Sequence, residues 1–244
     1  MPSSVPNSYN LTTTRDGIIT RALRIVGAAG TGDVVNPYQI TAGAEALNDL
    51  VKEWQVDGMP LWCLHQYGPL TLVENQASYS IGIGAADLQI VAPLRLLQAW
   101  RRNNNLDSPL IIQTREAYNM MTDKAGTGAP SIVWYNPPGN MSATEMAGTL
   151  TVYTTPDATS AANDTIYFTG VKPFADFDAA DDVPDFPQYW YNALKWGLAD
   201  QLSYEYGVGL AERAMISKKA LFHKEQALSG GTEEGSLFFQ PSDM

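Results

Sequence analysis

Five aspartates fall within one short stretch: Asp176, Asp178, Asp181, Asp182 and Asp185. Carboxylates this dense could hold a divalent cation, and a suitably spaced pair could run the acid/base hydrolysis of a glycosidic bond. A helix-loop-helix calcium site needs glycine at its sixth position and glutamate at its twelfth. Counted from Asp176 those places hold Asp181 and Pro187, so the spacing fails. The stretch reads instead as a solvated loop, or as a face turned toward basic residues of a neighbour. Asp185 suits the positive end of a helix that follows it. The histidines, His65 and His223, lie far apart with no metal-ligand spacing around either, and neither has a recognisable third member for nucleophilic catalysis. His65, beside Trp62 and Leu64, reads as a residue at the edge of a core. His223, next to Lys224 and Glu225, reads as solvated. Cys63 is the sole cysteine, which excludes an intrachain disulfide and a thiolate cluster, and its apolar setting marks it as a buried, inert thiol. Gly27-Ala28-Ala29-Gly30-Thr31-Gly32 has the glycines of a phosphate loop, but follows a helical pattern and no strand, so it reads as a helix end and linker. Nothing here points to a catalytic residue, a cofactor or a metal.

Composition narrows the partners. The chain has 244 residues, 45% of them hydrophobic, enough for a packed core. Fifteen Lys and Arg against 26 Asp and Glu give a formal charge of −11. Affinity for nucleic acid comes largely from cations that displace phosphate counterions, and that surplus is missing. DNA could slide past such a surface without adhering. The first residues have neither a basic start nor an apolar run, so no secretion signal is expected, and no stretch reaches the length of a membrane span. The expectation is a protein made and kept in cytosol.

The elements run helices, strands, helices. Thr14 caps a first helix whose stripe is Ile18, Ile19, Ala22, Leu23 and Val26. A second, from about Ile40 to Val56, carries Ile40, Ala44, Leu47, Leu50, Val51 and Trp54, and stops at Asp57-Gly58 before Pro60. From Tyr67 onward, β-branched and aromatic runs take over. Leu70–Val73 and Ser78–Ile81 read as a strand pair joined by a short loop. Further strands are expected around 94–100, 110–112, 132–135, 150–153 and 165–168, with a short helix over 115–124. Asp185-Phe186-Pro187 then opens a helix with Trp190, Ala193, Leu194, Gly197, Leu198 and Leu202 on one face. A final helix takes Leu210, Ala214, Ser217, Leu221 and Leu228 as its buried stripe and ends at Gly230-Gly231. The expected class is α+β: terminal helices in a bundle, an inserted small β-sandwich or barrel, and an extended C-terminal tail. The expected organisation is an N-terminal arm (1–13), a helical hairpin (14–66), the inserted β domain (67–185), C-terminal helices packing on 14–66 (186–230) and a docking tail (231–244).

Two features exceed what one core can absorb. Tyr189, Trp190, Tyr191, Trp196, Tyr204 and Tyr206 crowd one helix, and aromatics concentrate in protein interfaces. Trp190, Tyr191, Tyr204 and Tyr206 are therefore the interface candidates. The polar tail cannot fold alone, yet it carries Leu237-Phe238-Phe239, each worth roughly 1.5–3 kcal/mol on burial. These three are expected to dock on another subunit or a partner.

Several segments, in this order, carry a resemblance. They are Leu47-Asn48-Asp49-Leu50-Val51-Lys52-Glu53-Trp54 through Gly58-Met59-Pro60-Leu61-Trp62, then Ala77-Ser78-Tyr79-Ser80-Ile81-Gly82. Gly128-Ala129-Pro130-Ser131-Ile132-Val133-Trp134-Tyr135 and Gly148-Thr149-Leu150-Thr151-Val152-Tyr153 follow. Last comes Asp185-Phe186-Pro187 through Ala193-Leu194-Lys195-Trp196-Gly197 to Glu205-Tyr206-Gly207. Together, over about residues 14–228, they resemble the head-to-tail adaptors of short-tailed bacteriophages, also called packaged-DNA stabilisation or head-completion proteins. The resemblance implies a dodecameric ring of adaptor subunits beneath the portal protein, with the C-terminal segment reaching toward the portal. The far side would face a tail nozzle or tail fibres, and the ring would lengthen the DNA channel. It implies a virion protein of the neck, assembled in the host cytoplasm, with no catalytic residues. Two alternatives belong to other classes: a virion-associated cell-wall glycosidase, and a module whose β domain binds glycan or fibre.

Overall fold

The computed structural model describes residues 11–57, 61–139 and 146–231. The chain divides into two compact units, Cys63–Pro173 and the segments on either side of it.

The flanking unit is helical. Thr14 Oγ1 accepts the Gly17 amide at 3.2 Å and starts α1 (Arg15–Ile25), which buries Ile18, Ile19, Ala22 and Leu23. Gly27 takes a φ of 76° and Ala28 N–H returns to the Leu23 carbonyl, closing the helix. α2 (Pro37–Asp57) starts on a proline, whose missing N–H costs nothing there, and buries Leu47, Leu50, Val51 and Trp54. The chain re-enters this unit at Phe174. Gln55 Oε1 accepts the Phe174 amide at 2.9 Å, Lys52 Nζ donates to the Phe174 carbonyl at 2.9 Å, and Asn48 Oδ1 accepts the Phe177 amide at 2.8 Å. Polar side chains of α2 thus hold an extended segment in register. Residues 174–185, grouped with the β domain in the sequence reading, pack with the helices because of these bonds.

Two helices complete the unit, α5 (Tyr191–Glu205) and α6 (Leu210–Ser229). α5 packs against α1, α2 and α6. Gly197 permits the approach to α2, since a Cβ there would lie 2.8 Å from Trp54 Cζ2 and 3.1 Å from Leu50 Cδ2. An aromatic cluster closes the core. Trp62 stacks on Phe174 at 5.2 Å, Phe186 lies 5.0 Å from Trp62 and 5.8 Å from Trp190, and Trp190 lies 5.6 Å from Trp54. It joins residues from both ends of the chain.

The inserted unit is a curled seven-stranded sheet: β1 (Leu64–Thr71), β2 (Ser78–Ile83), β3 (Leu96–Asn103), β4 (Leu106–Ile112), β5 (Ile132–Asn136), β6 (Met146–Tyr153) and β7 (Asp164–Val171). Their order is β1-β7-β3-β4-β5-β6-β2, antiparallel except for the short parallel β4/β5 contact. That contact needs a crossover, which α3 (Arg115–Asn119) and the loop after it supply. α3 ends five residues before the 115–124 expectation. α4 (Ala158–Asn163), capped by Asp157, was not foreseen. The expected β1/β2 pair is overturned: β1 pairs with β7 and β2 with β6, at opposite ends of the order. Since only Leu72–Ala77 joins them, the sheet has to curl until its two ends approach. Tyr79 Oη bridges that approach, accepting from the Val73 amide at 3.0 Å and donating to the Val73 carbonyl. Leu70, Tyr79, Ile81, Leu150, Ile166 and Phe168 fill the interior.

Candidate docking surfaces

The acidic stretch is a structural loop. Asp182 Oδ2 accepts the amides of Asp178 and Ala179 at 2.8 and 2.6 Å, folding the loop on itself. Its carbonyls then accept from α1: Asp182 O from the Arg15 amide at 2.8 Å, and Asp178 O from Arg15 Nη1 at 2.9 Å. Asp176 pairs with Lys52 at 2.6 Å. Among the described residues, no three His, Cys, Asp or Glu side chains converge as metal ligands. The buried carboxylate Asp164 is held by Arg101 Nη1 and Asn103 Nδ2, both at 2.6 Å.

The histidines sit in different units. His65 is exposed on β1 and meets Tyr67 edge-on, and so lies outside the core edge expected of it. His223 is half-buried and stacks on Trp196, less solvated than its neighbours in sequence suggest. Cys63 is buried. Burial also pushes the Tyr67 hydroxyl up to about 12, and it has no hydrogen-bond partner, so it stays a neutral phenol within the sheet.

The interface candidates separate into two pairs. Trp190 and Tyr191, 2% and 5% exposed, lie inside the helical unit, so their surface is already covered by their own chain. Tyr204 is 62% exposed at the end of α5, with the Arg213 guanidinium 4.0 Å above its ring, and Tyr206 is half-buried at the helix cap. Leu237, Phe238 and Phe239 lie outside the described residues.

The larger surface is one that the sequence reading put inside. α6 buries Ile216, Ala220 and Ala227, small or medium side chains, and turns Leu210, Met215, Leu221 and Phe222 outward. The expected buried stripe of Leu210, Ala214, Ser217, Leu221 and Leu228 is therefore wrong by about one-quarter of the helix circumference. α6 is apolar on two faces, and the face with the smaller residues is the one that fits closely against the rest of the unit. Met215 and Phe222 remain 66% and 59% exposed, together with Tyr204.

Elsewhere, aromatic pairs on the β unit have cations over their rings. Lys124 and Arg115 lie 5.2 and 5.5 Å from the ring centroids of the stacked Tyr118 and Trp134, and Arg102 lies over Tyr167 in the Trp100/Tyr167 stack. Stacked and capped rings of this kind offer little bare face to a sugar.

A family model described as SU10 adaptor protein matches residues 13–235, spanning both units. The chain belongs to the SU10 adaptor family. This is a family of phage head-tail adaptors, structural components of the virion. Comparison with curated proteins gives no match. Among the described residues, no helix of this adaptor is long and apolar enough to cross a membrane.

Proposed function

We propose that this adaptor forms a ring beneath the portal of a short-tailed phage, joining the portal to the tail nozzle or fibres and extending the DNA channel. The observation that carries the reading is the set of large apolar side chains that α6 turns outward, Leu210 and Leu221 toward one side and Met215 and Phe222 toward another. A lone molecule gains nothing from Leu210, Met215, Leu221 and Phe222 on its surface, whereas a subunit packed between neighbours and a portal does. The charge of −11 fits a channel wall that DNA passes without adhering. The tail bearing Leu237, Phe238 and Phe239 is the segment assigned to portal docking, and a closed ring of twelve subunits follows the family pattern. The loop amides that engage Asp182 and the ion pair that engages Asp176 favour a scaffold over a hydrolase.

Size-exclusion chromatography with light scattering, on the chain alone and with its cognate portal, tests this. A ring-sized species on the portal or at high concentration is expected, and absence of co-elution with the portal overturns the reading. Deleting residues 231–244 should abolish portal binding while leaving far-ultraviolet circular dichroism unchanged. Retained binding removes the tail from the mechanism.

A further inference from the structure

Fifteen cations are scarce in a chain of this charge, yet three of them share one groove. Asp16, Gly17, Thr20, Arg21 and Arg24 recur at helical spacing along one side of α1, and with Thr13 before the helix and Lys195 of α5 they line a cavity of about 470 Å³. Among the described residues, the side chains of Arg21, Arg24 and Lys195 have no ion pair or hydrogen bond. Arg24 Nε is buried without an acceptor. The one acid in the groove, Asp16, is engaged by Arg15 at 2.9 Å. Burial, with the charge of Arg21 added, holds the Lys195 ammonium below its ordinary range. Cations gathered and partly desolvated in this way need anions from elsewhere.

The same unit carries the complement on another side. Glu45 and Asp49 of α2 and Glu205 of α5 line a shallow cavity of about 300 Å³ with Ala42, Ala46 and Gln201, and no cation reaches it. These three carboxylates also lack partners among the described residues. Glu45 and Asp49 stand four apart and Arg21 and Arg24 three apart on their helices, spacings at which like charges repel. On α5, Lys195 and Glu205 are separated by ten residues, about 15 Å along the axis and 80° around it, so the helix carries one charge near its start and the other at its end.

We infer that the groove of Arg21, Arg24 and Lys195 receives the Glu45, Asp49 and Glu205 face of a neighbouring copy. This inference rests on the ring reading and deepens it. A closed ring is heterologous, and each subunit offers two different patches, one to each neighbour. Three cations meet three carboxylates, and every copy satisfies both sets. DNA fits less well, because a duplex would extend far past three cations onto an acidic surface, whereas three carboxylates match the three cations in number.

Two charge-reversed chains test the pairing, Arg21→Glu/Arg24→Glu and Glu45→Arg/Asp49→Arg, with circular dichroism to verify folding and light scattering to measure assembly alone and on the cognate portal. Each variant alone should need at least about tenfold more protein for half-assembly. Their mixture should regain assembly, since the groove of each now suits the face of the other. Assembly of either variant at the wild-type concentration overturns the pairing, as does a mixture of folded variants that stays apart. If a reversed chain fails to fold, Arg21→Gln and Asp49→Asn replace the reversals; each should weaken assembly, and wild-type behaviour of both overturns the pairing. A wild-type chain that stays monomeric alone and on the portal removes the ring and this contact together. A wild type that assembles while its variants are unaffected removes the contact alone.

Discussion

α5 and α6 lie side by side with similar shares of apolar residues, yet they are used differently. α5 buries Tyr191, Ala193, Leu194, Gly197, Leu198, Ala199, Leu202 and Ser203, most of its length, because α1, α2 and α6 enclose it. α6 is longer and buries only Ile216, Ala220 and Ala227. Its large side chains point away from the core that its small ones touch. The contrast separates two reasons for an apolar helix. One stabilises the fold, and the other is held ready for contact with another chain.

The comparison breaks most easily where the helices differ most. Leu198→Ala on α5 should cost about 2–5 kcal/mol by urea denaturation, a lost side chain plus a cavity. Phe222→Ala on α6 should stay within about 0.5 kcal/mol while weakening assembly on the portal. Equal losses of stability would erase the distinction. Next in size, Gly197→Val should destabilise by about 1–3 kcal/mol, because its Cβ enters the space of Trp54 and Leu50. The same denaturation experiment reads it, and an unchanged midpoint would mean that α5 is not tightly enclosed.

Smaller still, Asp182→Ala removes the acceptor for two loop amides beside α1 and should cost about 1 kcal/mol, with assembly affected only as far as the loop loosens. The smallest effect is in pH dependence. Lys195 lies below its ordinary 10.5 in the folded chain, mainly through burial, so the folded state holds that proton more weakly than the unfolded state does. Its cost is present at neutral pH and is relieved as pH rises through the folded value toward the unfolded one. Lys195→Met should therefore lose the gain in urea midpoint that the wild type shows as pH rises toward 10.5, without loss of stability at neutral pH. An unchanged slope would mean that Lys195 is better solvated than its position on α5 implies.

Sequence made the first half of the helical unit legible. Thr14, the stripe from Ile18 to Leu23, and Gly27 each act locally, within a turn of where their effect appears. α6 was misread because its two apolar faces satisfy the same periodicity, and only the shape of the neighbouring helices decides between them. The β1/β2 pairing failed for a related reason. Glu74-Asn75-Gln76 does turn the chain, but the partners β7 and β6 lie more than sixty residues away, where local pattern gives no signal. α4 could have been found from Asp157, whose carboxylate accepts the Ser160 amide at 2.8 Å. Trp190 and Tyr191 follow the same rule as α6: an aromatic count shows surplus, not which rings the chain covers itself. Arg21, Arg24 and Lys195 were beyond reach, since α1 and α5 stand about 170 residues apart and nothing local announces that they meet.

The open margins of the sheet have a consequence for crowding. On the outer margin of β2, Ser80 N–H goes to Asp87 Oδ2, Leu88 N–H goes to the Ser80 carbonyl, and Gly82 N–H goes to the Leu88 carbonyl. β1, at the other margin, contains Pro69, which has no N–H to offer. Neither border invites a foreign strand to zip onto it, so the copies of the proposed ring could stand shoulder to shoulder without fusing into fibrils. Recognition between copies in the proposed ring would thereby be left to side chains, which can tell one face from another, and kept away from backbone, which cannot.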